Sequence, residues 1–358
     1  MAGITYPYGD TSAGTTKMDA LLSTTLMNYH KKGKMQDAIF SSNPTFYFLK
    51  DKVRKESGGY KIATNLMYGQ NTTVGSYSRY EVLDISPQDG MTQAYYPWAQ
   101  YSGAISIDGL SEFQNSGVGK LLSLLGEKVE QTTMTFAEKM NNHLWDVENV
   151  TIDTTSSSAN GGKNIISIPM IVPLDPTSDC ELGGINGATY TWWASNVLDY
   201  GATHSAVVFK YNMSNMYNTC TKGTGGQPDV VIMDQASWEN YESALDPQIR
   251  YTDQKVASAG FYNLRYKNAL VMWDEHMCDI AATANYDGSF TDGSIFFLNT
   301  KFLKLVVGKG KDFAPTKFQQ PEDQDARTAK YLFYGQLVCS NRRKHGVIQD
   351  VTDTAFTS

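Results

Sequence analysis

The sequence predicts an α+β fold, and three observations carry that prediction. Helical and strand-like patterns mix along the chain without regular strand–helix–strand alternation. A proline-free stretch over 110–147 carries one broad apolar stripe at helical spacing. A Tyr-rich segment over 58–103 alternates apolar and polar residues around a turn-rich centre.

Taken in order, the first 17 residues are small and polar and read as a loose arm. MDALLSTTLMNYHKK (18–32) places Leu21, Leu22, Leu26 and Met27 at helical spacing. FYFLKDKV (46–53) is a short apolar segment after Pro44. In 58–103, GGYKIATNLMYG leads out, NTTVGSYS is a tip, RYEVLDIS reads as a further strand, and MTQAYYPWAQYSGAIS returns. Seven of the 22 Tyr lie between Tyr60 and Tyr101. Aromatic residues concentrated on a projecting hairpin are expected to bury against something, and a hairpin folded back on its own core is the alternative.

The helix over 110–147 is traced by Val118, Leu121, Leu122, Leu125, Val129, Met134, Phe136, Met140 and Leu144. Asp108 or Ser111 is its expected cap. Gly117, Gly119 and Gly126 predict a bend or loose first turn, since each weakens a helix by up to ~1 kcal/mol relative to Ala. TIDTTSSSANGGKN (151–164) is a loop, and IISIPMIVPL (165–174) is an apolar run broken by Pro169 and Pro173. HSAVVFKYNMSNMYNTC (204–220) is helical and PDVVIMD (228–234) is a buried strand. Asp234 is placed to cap a helix carrying Trp238, Tyr241 and Leu245. NALVMWD (268–274) is another strand. SIFFLNTKFLKLVVG (294–308) and YLFYGQLVCSNRRKHGVI (331–348) read as two long strands joined through the polar PEDQDAR segment.

Composition narrows function. Apolar residues make up 41% and charged residues 19%, the latter below the ~25% usual for soluble domains. A charge-poor, Tyr-rich surface suits protein–protein contact, although an enzyme with a polar uncharged surface has the same composition. The net charge of −7 argues against nucleic-acid binding across the whole surface. The balance is uneven: residues 301–358 hold ten Lys or Arg against six Asp or Glu, an excess that suits an anionic partner or solvated strand edges. Cys180, Cys220, Cys278 and Cys339 form no CxxC pair and read as reduced thiols. The N-terminus has no apolar core or basic start of a signal peptide. No run approaches the ~18 apolar residues of a membrane span, so the Asn-x-Thr/Ser triplets at Asn71, Asn149 and Asn212 carry little weight.

No catalytic motif is present: GxxxxGK[ST], GxGxxG, HExxH and GxSxG are all absent. The five His, at 30, 143, 204, 276 and 345, form no close pair with ligand spacing. Asp274, Glu275, His276, Cys278 and Asp279 form the best metal candidate. A soft thiolate among hard carboxylates suits no single metal, and a polar turn after a strand explains the same residues. No cofactor is expected. LGGINGATYTWWAS (182–195) poses the sharpest question. It lacks the preceding strand and following helix of a phosphate loop. Trp192 or Trp193 as a sugar-stacking face competes with burial in a core or interface.

These segments, taken in order, resemble the major capsid proteins of tailed bacteriophages over about residues 18–350. MDALLSTTLMNYHKKGKMQDAIF resembles the N-terminal arm. NPTFYFLKDK with GGYKIATNLMYG resembles the start of the extended E-loop. The 110–147 helix resembles the spine helix of the P-domain. LGGINGATYTWWAS resembles the segment before the capsomer-forming A-domain. SIFFLNTKFLKLVV and PEDQDARTAKYLFYGQLVCSNRRKHGVI resemble the closing P-domain strands.

The resemblance implies an N-terminal arm (1–55), an E-loop (56–103) and a first P-domain part (104–194). An A-domain with a mixed sheet (195–290), closing P-domain strands (291–350) and a tail (351–358) follow. It implies self-assembly into hexamers and pentamers of an icosahedral virion head, built in the host bacterial cytoplasm, with double-stranded DNA enclosed non-specifically. Expected partners are further copies of the chain, scaffold and portal proteins and decoration proteins, with no membrane. The initial Met favours a separate scaffold over a cleaved scaffolding segment. Lys61 lies at the hairpin base and no Lys lies near its tip, so the crosslinking chemistry of some members does not transfer.

On this reading Tyr60, Tyr68, Tyr77, Tyr80, Tyr95, Tyr96, Trp98 and Tyr101 form subunit interfaces. Gly183, Gly184 and Gly187 form an interdomain hinge, and Trp192 and Trp193 are anchors. Two rivals stand beside it. One is the shell of a cellular nanocompartment with the same fold. The other is a carbohydrate-binding protein or enzyme with a pocket around Trp192, Trp193 or His276.

Overall fold

The computed structural model describes residues 43–114, 124–145, 163–177, 181–200, 205–245, 264–277, 293–320 and 325–351. The expected helix at 18–32, most of the arm, and Val118, Leu121, Leu122, Cys180, Cys278 and Asp279 lie outside them.

Two hydrogen-bonded sheets organise the chain. The larger has six strands in the order β7 (Asn196–Asp199), β15 (Gly346–Val351), β11 (Gly293–Leu298), β8 (Val230–Met233), β10 (Ala269–Trp273) and β9 (Leu264–Tyr266). Its strands pair both parallel and antiparallel: β8 runs parallel to β10 and antiparallel to β11. Both faces are covered, so its central strands read as continuous apolar runs rather than alternating ones. Val231, Met233, Ile295, Phe297 and Ile348 point to one cluster with Phe209, Met213, Met216 and Tyr217 of helix α5 (Ala206–Thr221) and Trp238 and Tyr241 of helix α6 (Gln235–Leu245). Val230, Ile232, Phe296, Leu298 and Val347 point to the other, with Trp145, Trp193 and Phe333.

Local chemistry starts both helices, at Asp234 as the sequence predicts. Ser205 caps α5 by accepting the Val208 N–H, and the Asp234 carboxylate accepts the Ser237 N–H at the start of α6.

The second sheet runs β1 (Arg54–Glu56), β12 (Leu303–Gly308), β14 (Ala326–Cys339), β13 (Ala314–Pro315), with β4 (Ala99–Asp108) also paired to β14. Helix α1 (Pro44–Asp51) precedes it. Helix α2 (Gly109–Gln114) begins directly after Asp108 and includes Ser111, and helix α3 (Leu124–Trp145) has 22 residues, about 33 Å at 1.5 Å per residue. Within α3, Phe136, Met140 and Leu144 of the expected stripe are buried. IPMI (Ile168–Ile171) is a single buried helical turn, α4, with Pro in its first turn, where a missing N–H costs nothing.

Three strand readings need correction. SIFFLNTKFLKLVVG is not one strand. The chain turns at Asn299, whose carbonyl accepts the N–H groups of Phe302 and Leu303 and whose side chain accepts that of Lys301. Asp229 accepts the Thr300 N–H at 2.8 Å from across the turn. β11 therefore completes the six-stranded sheet and β12 enters the other. YLFYGQLVCSNRRKHGVI divides likewise, with a 3₁₀ turn at Arg342–Lys344 between β14 and β15. RYEVLDIS is not a strand: among the described residues no strand pairs with it, and local turns take up the N–H groups of Glu81 and Ser86.

The chain divides into two compact units. The smaller includes Gly103–Thr135 and Pro315–Tyr331. The larger comprises Ser41–Ser102, Phe136–Ala314 and Leu332–Ser358. Both core clusters belong to the larger unit. Within the smaller, Gly109 donates to the Asp325 carbonyl at 3.0 Å and Lys128 to that of Ser106 at 2.8 Å.

Candidate assembly surface

The hairpin of 58–103 is a two-stranded ribbon with an irregular tip. Strands β2 (Ile62–Met67) and β3 (Met91–Tyr96) pair antiparallel from Ile62↔Tyr96 to Met67↔Met91. Side chains alternate. Ile62, Thr64 and Leu66 face inward with Ala94 and Tyr96, while Ala63, Asn65 and Met67 face outward with Tyr95, Gln93 and Met91. The ribbon narrows where the Gly90 carbonyl accepts from both Tyr68 and Gly69. A β-carbon on Gly69 would stand 3.0 Å from the Gly90 Cα, so glycine permits that approach.

The LGGINGATYTWWAS segment clamps the ribbon at its root. Strands β5 (Glu181–Leu182) and β6 (Ile185–Asn186) are joined by the two-residue turn Gly183–Gly184, with φ of 66° and 82°. That pattern needs glycine and twists with the strands. The Gly183 carbonyl accepts the Tyr95 N–H at 3.0 Å, and a β-carbon on Gly183 would lie 2.8 Å from that of Ala94. Trp193 is 2% exposed, and its indole donates to the Leu182 carbonyl. Trp192 stacks on Tyr68, with centroids 4.9 Å apart and planes at 17°.

Gly183 and Gly184 are therefore a tight turn tied to β3 within the larger unit. Gly187 has no positive φ and lies in a turn fixed by bonds from Ala188 and Tyr190 to Asn186.

The tip differs in kind. Residues 70–90 contain no regular element and are held by local caps. Asn71 accepts from Thr73, Glu81 from Ser78, and Asp84 from Ser86. The backbone and hydroxyl donors of Ser86 hold the Asp84 carboxyl below its ordinary range. Its apolar side chains point outward: Val74, Tyr77 and Leu83 are exposed, while Tyr80, Val82 and Ile85 are 98%, 94% and 91% exposed.

The residues expected at interfaces separate into three groups. Tyr60, Tyr68, Tyr77, Tyr80 and Tyr95 are exposed. Tyr96 is not: it is fully buried, its hydroxyl donates to the Cys339 carbonyl at 2.6 Å, and burial holds its pKa well above the usual phenol range. It belongs to the subunit core because its neighbour Tyr95 takes the outward face. Trp98 and Tyr101 are half-buried. The Trp98 indole donates to the Gly59 carbonyl, and the Tyr101 hydroxyl accepts from the Ile165 N–H and lies 2.9 Å from His143 Nδ1.

The rival chemistries find little support in this geometry. Asp274 is fully buried and accepts from the Thr45 hydroxyl, the Asn141 amide and the His276 N–H. Asn141 in turn accepts the Phe46 N–H. That network ties α1 to α3, and among the described residues no group of three potential metal ligands occurs. Trp192 offers a sugar only the face that Tyr68 leaves uncovered. Cys220 and Cys339 are buried and free, and burial pushes both thiols up to about 12, far from thiolate chemistry. No helix among the described residues is long and apolar enough to cross a membrane.

No protein-family model matches the chain, and no curated protein sequence matches it. Solved structures do. The capsid subunit of Cyanophage A-1(L) is similar with a TM-score of 0.62 at 15% identity, over 89% of this chain and 95% of that one. The SrpI encapsulin of Synechococcus elongatus PCC 7942 gives 0.54 at 6% identity, over 93% and 97%. The capsid of Myoviridae Phage XM1 gives 0.51 at 8% identity, over 88% and 94%. These neighbours are shell proteins rather than enzymes, and the chain has the fold of the tailed-phage major capsid proteins, which an encapsulin shares.

Proposed function

We propose that the chain is a major capsid protein: copies self-assemble into hexamers and pentamers of an icosahedral bacteriophage head around double-stranded DNA. The observation that carries this reading is the outward-facing apolar tip at Tyr77, Tyr80, Val82 and Ile85 on a ribbon with a fixed root. Burying each such side chain contributes about 1.5–3 kcal/mol, and a neighbouring copy in a closed ring supplies the cover. The ribbon takes the role of the E-loop and α3 that of the spine helix. β12 and β14 serve as the closing P-domain strands, whereas β11 and β15 join the A-domain sheet. Scaffold, portal and decoration proteins are the expected partners, the virion is the destination, and no cofactor is required.

The test replaces Tyr77, Tyr80, Val82 and Ile85 with Ser and compares sedimentation and negative-stain images with the parent. Folded subunits that no longer form particles support the reading. Particles that form as before count decisively against it. The encapsulin likeness over 93% of the chain favours one second reading, a nanocompartment shell. Particles with protein rather than nucleic acid inside, judged by the ratio of absorbance at 260 and 280 nm, select it.

A further inference from the structure

Three loops converge at one end of the six-stranded sheet. The first, Lys222–Gln227, leaves α5 and turns through Gly223, Gly225 and Gly226, all at positive φ. The second is the Asn299–Phe302 turn, whose Phe302 ring packs so closely on Gly225 that a β-carbon there would overlap it. The third is the Arg342–Lys344 turn. Lys344 joins the first and third: it is 2% exposed, and its ammonium donates to the carbonyls of Thr221, Lys222 and Gly223. The first two belong to the last residue and the cap of α5, where a cation is favourable. Arg342 is fully buried and donates to the carbonyls of Ile171 and Met170.

The Lys344 ammonium is thus satisfied by main-chain carbonyls, which offset its hydrogen-bonding need but not its charge. Around them Lys222, Lys301 and Arg343 are exposed, and the ion pairs Lys52–Asp229 and Arg54–Glu56 involve none of these three. Burial lowers the Lys344 pKa, and the like charges of Arg343 and Lys301 add to that lowering, which places the three cations in one field. The carboxylate of this region, Asp229, is held by Lys52 and Thr300.

We infer that this loop cluster is a contact surface for the phosphate backbone of duplex nucleic acid. The exposed side chains Lys222, Thr224, Gln227, Lys301 and Arg343 are cations, a hydroxyl and an amide, the set that contacts phosphate and sugar. The apolar side chain of the cluster, Phe302, is spent on Gly225, so the surface lacks the aromatic or aliphatic anchor of a peptide-binding site. The inference deepens the capsid reading and rests on it for the source of the duplex, since it assigns a surface to DNA otherwise enclosed without specific contact.

The experiment uses the full chain with Lys222→Gln, Lys301→Gln and Arg343→Gln together. A control triple neutralises the equally exposed Lys55, Lys304 and Lys317. Binding of a fluorescent 30-base-pair duplex is followed by anisotropy across a salt series, and particle formation is scored separately by sedimentation. Each phosphate contact contributes a slope of about 0.9 in log K against log salt. Losing three lowers the slope by about 2.7 and weakens binding about a hundredfold at 0.15 M salt. That loss in the patch triple alone supports the inference, whether or not particles form, so a failed capsid reading is recognised separately by the sedimentation arm. Equal losses in both triples, unchanged binding in the patch triple, or binding of poly-glutamate but not of duplex each overturn it.

Discussion

Replacing Gly183 by Ala tests whether the glycine turn fixes the ribbon. The residue sits at φ 66°, where a side chain costs about 1–2 kcal/mol. Its new methyl would also lie 2.8 Å from the Ala94 β-carbon, closer than carbon atoms approach. Either the turn or β3 must move, which puts the 3.0 Å bond from the Tyr95 N–H to the Gly183 carbonyl at risk, about 1 kcal/mol more. Gly184→Ala is the internal control. It has φ of 82°, with nothing within 4 Å of the added carbon, so it carries the backbone cost alone. Denaturant unfolding of both variants should show Gly183→Ala destabilised by about 1–3 kcal/mol more than Gly184→Ala. Limited proteolysis within 58–103 should rise in the first variant only. Equal destabilisation would refute the reasoning, because it would mean that the turn does not bear on β3.

Three further outcomes are expected. His345 is fully buried, and its Nδ1 accepts the Asn299 N–H, so it is neutral in the fold. Burial pushes its pKa down to about 3, with Asp229 pulling it up and Arg342 pushing it further down. The unfolded chain takes up a proton below pH 6.5 that the folded chain refuses until about pH 3. Stability is therefore full above pH 6.5 and falls by about 1.4 kcal/mol per pH unit below it. His345→Gln should remove about 2 kcal/mol of the loss between pH 7.5 and 5, and an unchanged pH profile in denaturant titrations would contradict that. Tyr96→Phe should destabilise the subunit by about 1–3 kcal/mol, because it strips the Cys339 carbonyl of its buried donor, while Tyr80→Phe should leave the melting temperature unchanged. Trypsin should cut free subunits first after the exposed Arg79 in the tip, and assembled particles should resist that cut; cleavage at equal rates in both would argue against a covered tip.

Much of the architecture was legible in local pattern. The run VVIM reads as a buried strand, and the alternation in 58–103 reads as a hairpin. The difference between Tyr95 and Tyr96 was also present in principle, because consecutive strand residues point to opposite faces. What could not be read was which partner each run would find. The turn at Asn299 is also held from a distance, by Asp229, which lies 71 positions before Thr300 and accepts its N–H. RYEVLDIS has strand composition but no neighbour to pair with, and β-propensity expresses packing more than backbone preference. Arg342–Lys344 reads as part of a long strand, yet it is a turn, and two of its three cations are buried against main-chain carbonyls. Gly183 and Gly184 are flexible residues in sequence and a constrained turn in space, a difference that only the approach of Ala94 reveals.

The most direct test of the central claim is electron microscopy of the full chain after size-exclusion chromatography. The account predicts rings, shells or tubes built from five- and six-fold units. A folded monomer that forms no particle, either concentrated alone or coexpressed with a scaffold protein, would contradict it.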